Sequence, residues 1–275
     1  MLFDLSLIEI AGRLLIGGGI GFCIGLTGVG GGVLMLPALT LLFGMDPVAA
    51  VGTASLYSFL TKVSATWHHF KLKTVEWKIA WRFLIGAVPA NIGIALWISS
   101  HGSDEEFNQG LKAFIAGVVC FSVLIMLVNS LIKRTGPALR FGEHTLAHYL
   151  ANHPALLHGL NIAIGAIVGS LIGATSIGGG VLIIPALIIV FGLSASRTVG
   201  TSIFISIALN LITASIYGGS KAVDIPTVVV MALGSLATVY YGSKLAVRLP
   251  DRLLKFMVFG LMFVTALLMV ADAMR

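Results

Sequence analysis

The residues of this chain that can do chemistry gather around two glycine-rich stretches. One runs Gly28-Val29-Gly30-Gly31-Gly32, the other Ser176-Ile177-Gly178-Gly179-Gly180. Such runs break a helix, and broken backbone in a membrane must be enclosed by protein or face a water-filled cavity. Each break precedes a short apolar segment, so its amides are expected to point out of a helix N-terminus, a geometry that favours anions. Thr27, Thr175 and Ser176 flank the breaks and offer hydroxyl donors without net charge. Thr53, Ser55, Thr201 and Ser202 open the next helix in each half. For these the competing role is a bond to their own helix carbonyls.

Lys62 lies inside the apolar segment TASLYSFLTKVSATW. A lysine at such depth normally faces a cavity or a partner. It stands about 10 Å along the helix from the basic end, so partial snorkelling is the alternative. Arg82 and the tryptophans 67, 77, 81 and 97 lie near segment ends, where interfacial anchoring explains them. His144, His148, His153 and His158 fall in a polar linker without cysteine or ligand spacing, so no metal is expected. No nucleophile–base pair, paired carboxylate or HExxH pattern lies in the apolar segments, so the chain does not read as an enzyme and no cofactor is implied. Near-absence of intramembrane acids argues against a carboxylate-based cation or proton relay.

The elements that position these residues are helices. The 275 residues are 57% hydrophobic and 10% charged, with mean hydropathy +1.03. A soluble domain carries roughly 25% charged residues, so these apolar runs must face lipid. Net charge is +6, but the basic residues are scattered through short loops, which excludes a nucleic-acid surface. Cys23 and Cys120 lie in apolar segments and read as packing residues. No cleavable signal is evident at the start. The hydropathy pattern predicts helical segments over 6–27, 32–44, 47–69, 77–99, 107–132, 156–175, 180–192, 195–218, 225–247 and 252–273. The second and seventh reach roughly 18 Å, short of the roughly 30 Å hydrocarbon core, so about eight full spans are expected.

An internal repeat organises the chain. GLTGVGGGVLMLPALTLLFG (25–44) matches GATSIGGGVLIIPALIIVFG (173–192) at an offset of 148, and the match continues from Val51-Gly52-Thr53 to Val199-Gly200-Thr201. Gly17, Gly21 and Gly25 pair with Gly165, Gly169 and Gly173, two ladders of small residues suited to close helix packing. Lys62 pairs with Asn210, so this position is polar in both halves. The organisation expected is an N-terminal transmembrane repeat (1–132), a cytoplasmic linker (133–155) and a C-terminal transmembrane repeat (156–275).

Loop charge sets orientation. The basic 68–78 loop, the linker with Lys133, Arg134 and Arg140, and the 248–255 turn are expected inside. The acidic 100–107 loop and both termini are expected outside. Equivalent loops then lie on opposite sides, and five segments per half is odd, so the halves should be inverted. The fold class is therefore an all-α polytopic membrane protein of two inverted repeats, each of about five helical segments, with broken or short helices at the glycine motifs.

The duplicated break, with VGTAS after the first copy and VGTS after the second, resembles the sulfite exporter TauE/SafE family of membrane permeases. The resemblance covers nearly the whole chain. It implies export of sulfite, a sulfonate or a related sulfur oxyanion across the cell (inner) membrane. The residues themselves point to a small anionic substrate held by Thr27, Gly28, Gly30, Gly31, Gly32, Thr53, Ser55, Lys62, Thr175, Ser176, Gly178, Gly179, Gly180, Thr201, Ser202 and Asn210. Alternating access of a secondary transporter is the expected mechanism, with an anion channel or a permease for another small organic anion as the alternative. The expected partners are the substrate and the lipid bilayer, with no nucleic acid. A homodimer is allowed and not required.

Overall fold

A computed structural model describes residues 6–27, 32–71, 74–102, 104–132, 154–177, 180, 182–191, 193, 195–246, 260, 263–264 and 266–271. The described residues are overwhelmingly helical. In chain order the helices are α1 (Leu7–Thr27), α2 (Gly32–Pro37) running into a π-helical turn (Ala38–Leu42), α3 (Pro47–Lys71), α4 (Trp77–Ser100), α5 (Glu105–Ile132), α6 (Pro154–Thr175), α7 (Ile183–Ile189), α8 (Ala195–Gly219) and α9 (Ile225–Ala246). Of the segment expected over 252–273, helix is described continuously only over 266–271.

Most boundaries follow the hydropathy pattern, and the departures have local causes. Helix α5 starts at Glu105 because the Asp104 carboxylate accepts the N–H groups of Glu106 (3.1 Å) and Phe107 (3.3 Å), an N-cap. Helix α2 loses α geometry after Pro37, which lacks an N–H. Thr40 then donates its hydroxyl to the carbonyls of Leu36 and Pro37. The second short helix is shorter than expected, Ile183–Ile189 rather than 180–192. Both short elements close alike: Met45 N–H bonds to the Leu39 carbonyl (3.1 Å), and Leu193 N–H to that of Leu187 (3.3 Å).

Six described helices are long and apolar enough to cross a membrane: α1, α4, α5, α6, α8 and α9. Their outward faces carry large hydrophobics such as Ile85, Leu96, Phe114, Phe121, Ile167, Leu211 and Leu236, as a lipid-facing surface requires. The six are counted among the described residues; α3, also expected to span, is described with its side chains only over 47–63, a stretch that carries Thr53, Ser55, Ser58, Thr61 and Lys62. Helix α3 packs against α8, α9 and α5, and Thr53, Ser55, Tyr57, Ser58 and Thr61 are buried.

The most extensive helix pairings are α1 with α9 and α4 with α6, followed by α3 with α8. The small-residue ladders make the first two possible. A Cβ on Gly17 would overlap the backbone of Met231, and one on Gly21 that of Ser235. In the other half, Gly165 is closed off by the Phe83 backbone and Gly169 by Ala87. These contacts map onto one another when 148 is added to one partner and subtracted from the other. So do Gly234 on Leu14 and Gly86 on Ile162, and Gly52 on Ala222 and Gly200 on Thr74. Two hydrogen bonds obey the same exchange: Asp224 N–H to Thr53 Oγ1 (3.0 Å), and Glu76 N–H to Thr201 Oγ1 (2.9 Å). Arg197 pairs with Glu76 beside the second of these. The 74–76 loop and the start of α8 therefore share one end of the bundle.

Candidate functional site

The start of the second break, residues 175–177, is described. Helix α6 ends at Thr175, whose hydroxyl donates to the Leu171 carbonyl (2.6 Å) and accepts the N–H of Ile177 (3.1 Å). Ser176 follows in the left-handed region at φ +56°. A non-glycine residue there costs about 1–2 kcal/mol, and its counterpart at the offset of 148 is Gly28. The conformation is held in place. Ser176 N–H bonds to the Ile172 carbonyl (2.7 Å), and its hydroxyl lies 3.4 Å from Asn210 Oδ1 on α8. Asn210 is fixed in turn by its amide bond to the Ser206 carbonyl (2.7 Å). Ser176 and Asn210 are fully shielded.

The first break reaches the same place. A Cβ on Gly32, the first residue of α2, would overlap the Ser176 carbonyl oxygen and lie 3.0 Å from the carbonyl carbon. Backbone from one half thus sits directly on the turn of the other, at a contact only glycine permits. Gly32, Thr175, Ser176 and Asn210, all expected at the site from sequence, are brought together.

The other expected residues are placed as follows. Gly28, Gly30, Gly31, Gly178 and Gly179 lie outside the described residues. Thr27 ends α1, and its side chain is likewise outside them. Gly180 is a half-buried turn residue. Thr53 and Thr201 are buried where α3 and α8 meet the opposite half, and each accepts a loop N–H, as above. Ser202 donates to the Val199 carbonyl (2.9 Å), the bond to its own helix. Ser55 is fully buried and its hydroxyl has no hydrogen-bond partner. Lys62 is half-buried on α3, seven residues from Ser55 and so on the same helix stripe.

Several polar residues escaped the sequence reading. Ser58, between Ser55 and Lys62 on that stripe, is fully buried with an unpartnered hydroxyl, and so is Ser235 on α9. A buried polar group left in this state costs about 1–3 kcal/mol. Asn91 on α4 exchanges two hydrogen bonds with Thr213 on α8 (3.0 and 3.1 Å) and donates to the Gly169 carbonyl (3.1 Å). This network ties three helices together. Arg13 on α1 lies with its guanidinium carbon 5.5 Å from the Phe43 ring centroid. Its Nε and one terminal nitrogen are shielded and unpartnered. Glu9, one turn earlier, is within electrostatic range, but its carboxylate is engaged by the Ser6 N–H (2.8 Å) and hydroxyl (3.0 Å). The repeat offset was the available signal. It pairs Arg13 with Asn161, as it pairs Lys62 with Asn210. Both positions carry a cation in the first half and an asparagine in the second.

Comparison with known proteins agrees with this architecture. The family model described as "Sulfite exporter TauE/SafE" matches residues 13–269. The chain is 32% identical over 258 residues to the probable membrane transporter protein YjnA of Bacillus subtilis (strain 168), covering 92% of this chain and 97% of that one. It is 30% identical to the probable membrane transporter protein YunE of the same organism, over 87% and 86% of the two chains. It is 26% identical to the probable membrane transporter protein MJ0441 of Methanocaldococcus jannaschii, over 85% of each. No solved structure matches the chain. The chain belongs to the sulfite exporter TauE/SafE family, and it is a multi-pass membrane transporter.

Proposed function

We propose that this transporter is a secondary exporter of a small anion, most concretely sulfite, a sulfonate or a related sulfur oxyanion. The observation that carries the reading is the seating of Gly32 on the Ser176 turn. It joins the breaks of the two halves, and transporters built from repeats bind substrate where such broken helices meet. Contacts that exchange between halves at a fixed offset support a two-fold relation between them. Together with the loop charges they support opposed orientations in the membrane.

The donors favour an anion. Ser55 brings a hydroxyl, and Lys62 brings a charge at the position equivalent to Asn210, whose Oδ1 accepts the Ser176 hydroxyl. The choice of a sulfur oxyanion rests on the family. Rocking of one half against the other would expose the junction to each side in turn.

The test is flux of a panel of labelled small anions in proteoliposomes, with Lys62→Ala as the diagnostic variant. Removing the charge-assisted bond, worth about 1.5–3 kcal/mol, should raise the substrate KM by roughly 10-fold or more. The purified variant should keep its size and thermal unfolding. Wild-type flux in Lys62→Ala would reduce the lysine to a snorkelling residue. Large currents that do not saturate with anion would make the protein a channel.

A further inference from the structure

Helix pairing and sequence order disagree in this protein. The glycine ladders seat α1 on α9 and α4 on α6, one helix from each repeat in both cases. Hydrogen bonds between helices follow the same grouping. Thr238 on α9 donates to the Gly18 carbonyl on α1 (2.6 Å), and Thr53 on α3 accepts the Asp224 N–H at the start of α9. In the other group, Asn161 on α6 donates to the Ile79 carbonyl on α4 (3.3 Å), and Tyr217 on α8 to the Gly173 carbonyl on α6 (3.0 Å). Asn91 on α4 bonds to Thr213 on α8 and to the Gly169 carbonyl on α6.

The buried apolar side chains divide in the same way. One core is built from α4, α6, α7 and α8, with Phe83, Ile172, Leu187 and Leu209 among its members. Another joins α1, α2, α3 and α9, together with α5 and the ends of α4, α6 and α8. At the offset of 148, Phe83, Val168, Ile183, Leu187 and Ile205 of the first core become Met231, Ile20, Met35, Leu39 and Tyr57 of the second. The repeats have therefore exchanged their fourth helices: α4 packs with α6, α7 and α8, and α9 with α1, α2 and α3.

Alternating access needs two rigid bodies with the substrate between them. The repeats as they run in sequence do not suit that role. Turning one against the other would pull α1 off α9 and α4 off α6, and would strip Asn91 and Thr213, both fully buried, of their partners. We infer that the bodies that move in this transporter are α1–α2–α3–α9 and α4–α6–α7–α8, meeting where α3 crosses α8 and where Gly32 rests on Ser176. The inference rests on the transport reading and deepens it by naming the moving parts. The halves that rock are folded units, each made of three helices of one repeat and one of the other. Each body then carries one glycine break to the seam. The seam contacts at Gly32 and at Gly52, whose Cβ would lie 2.7 Å from that of Tyr217, are steric, and packed helices can shear along such contacts.

The test uses the full-length protein in proteoliposomes, with Cys23→Ala and Cys120→Ala. Gly18→Cys with Thr238→Cys ties α1 to α9. A Cβ on Gly18 would lie 3.5 Å from Thr238 Cγ2, within reach of a disulfide. Ala166→Cys with Ala90→Cys is the equivalent pair of the other body, on α6 and α4. Loss of both thiols on oxidation verifies each bond. Flux of sulfite, or of whichever anion in the panel the wild type moves, should be the same with either disulfide formed or reduced. Flux abolished by oxidation and restored by reduction would overturn the inference and leave the transport reading standing. Pairs that keep their thiols under oxidation would overturn the helix exchange itself. Spin labels read the motion at exposed positions. Labels at Leu15→Cys and Ile85→Cys lie in one repeat but on different bodies, and labels at Leu15→Cys and Leu236→Cys lie on one body. The transported anion should change the first distance and leave the second fixed, and the reverse pattern would overturn the inference. A wild type that moves no anion of the panel would remove the transport reading, and the inference with it.

Discussion

Substituting Gly32 by alanine probes the junction of the two halves with a single methyl group. The added Cβ would meet the Ser176 carbonyl head-on, with the carbonyl carbon at 3.0 Å and the Ser176 hydroxyl at 3.4 Å. Neither backbone can yield easily, because Ser176 is anchored by its N–H to Ile172 and its hydroxyl to Asn210. Overpacking of this kind costs about 1–3 kcal/mol. Alanine recovers about 0.5–1 kcal/mol over glycine within a helix, so the expected net loss is centred at about 1 kcal/mol, within roughly 0–2.5 kcal/mol. Gly93→Ala and Gly117→Ala are the controls. Their new Cβ atoms would meet nothing within 4 Å, so they should be neutral or stabilising by up to about 1 kcal/mol. Thermal unfolding of the purified protein in detergent reads the difference, at about 2–4 °C per kcal/mol for a chain of this size. Anion flux should fall in Gly32→Ala and persist in both controls. A Gly32→Ala protein as stable and as active as Gly93→Ala would refute the contact between the breaks.

Other outcomes follow from named contacts. Thr53→Val and Thr201→Val should each destabilise by about 1–3 kcal/mol, by leaving the Asp224 or Glu76 N–H unpaired, and Thr→Ser at either site should restore most of it; unfolding of all four variants checks this. Arg13→Gln removes two shielded donors that have no acceptor, so the variant should unfold no earlier than wild type. An early-unfolding Arg13→Gln would show the guanidinium to be structural. Glu76→Arg or Arg197→Glu alone should cost no more than about 1 kcal/mol, since the pair is partly exposed, and the double swap should recover the loss; a double-mutant cycle on unfolding measures it.

The sequence already contained most of the helices, because twenty-residue apolar runs leave the backbone few alternatives in lipid. The ladders at Gly17, Gly21, Gly165 and Gly169 were legible for the same reason, since small residues at a spacing of four have one main use. The meeting of Gly32, Thr175, Ser176 and Asn210 was anticipated by the duplicated break. What each hydroxyl does was not legible. Thr53 and Thr201 accept loop amides whose position depends on how the two halves dock. Ser202 turns to its own helix, whereas Ser55 and Ser58 do not, and composition cannot separate these cases. Helix α3 reads as a span by length, and the burial of its hydroxyls among α5, α8 and α9 depends on docking that the sequence does not print. Arg13 could have been found by applying the offset of 148 to every charge, which pairs it with Asn161.

Sulfite counterflow in proteoliposomes tests the central claim most directly. Vesicles loaded with unlabelled sulfite should transiently accumulate labelled sulfite against its gradient, and Lys62→Ala should reduce that overshoot. Labelled sulfite that merely equilibrates, at a rate the internal anion does not change, would contradict a secondary transporter with one shared site.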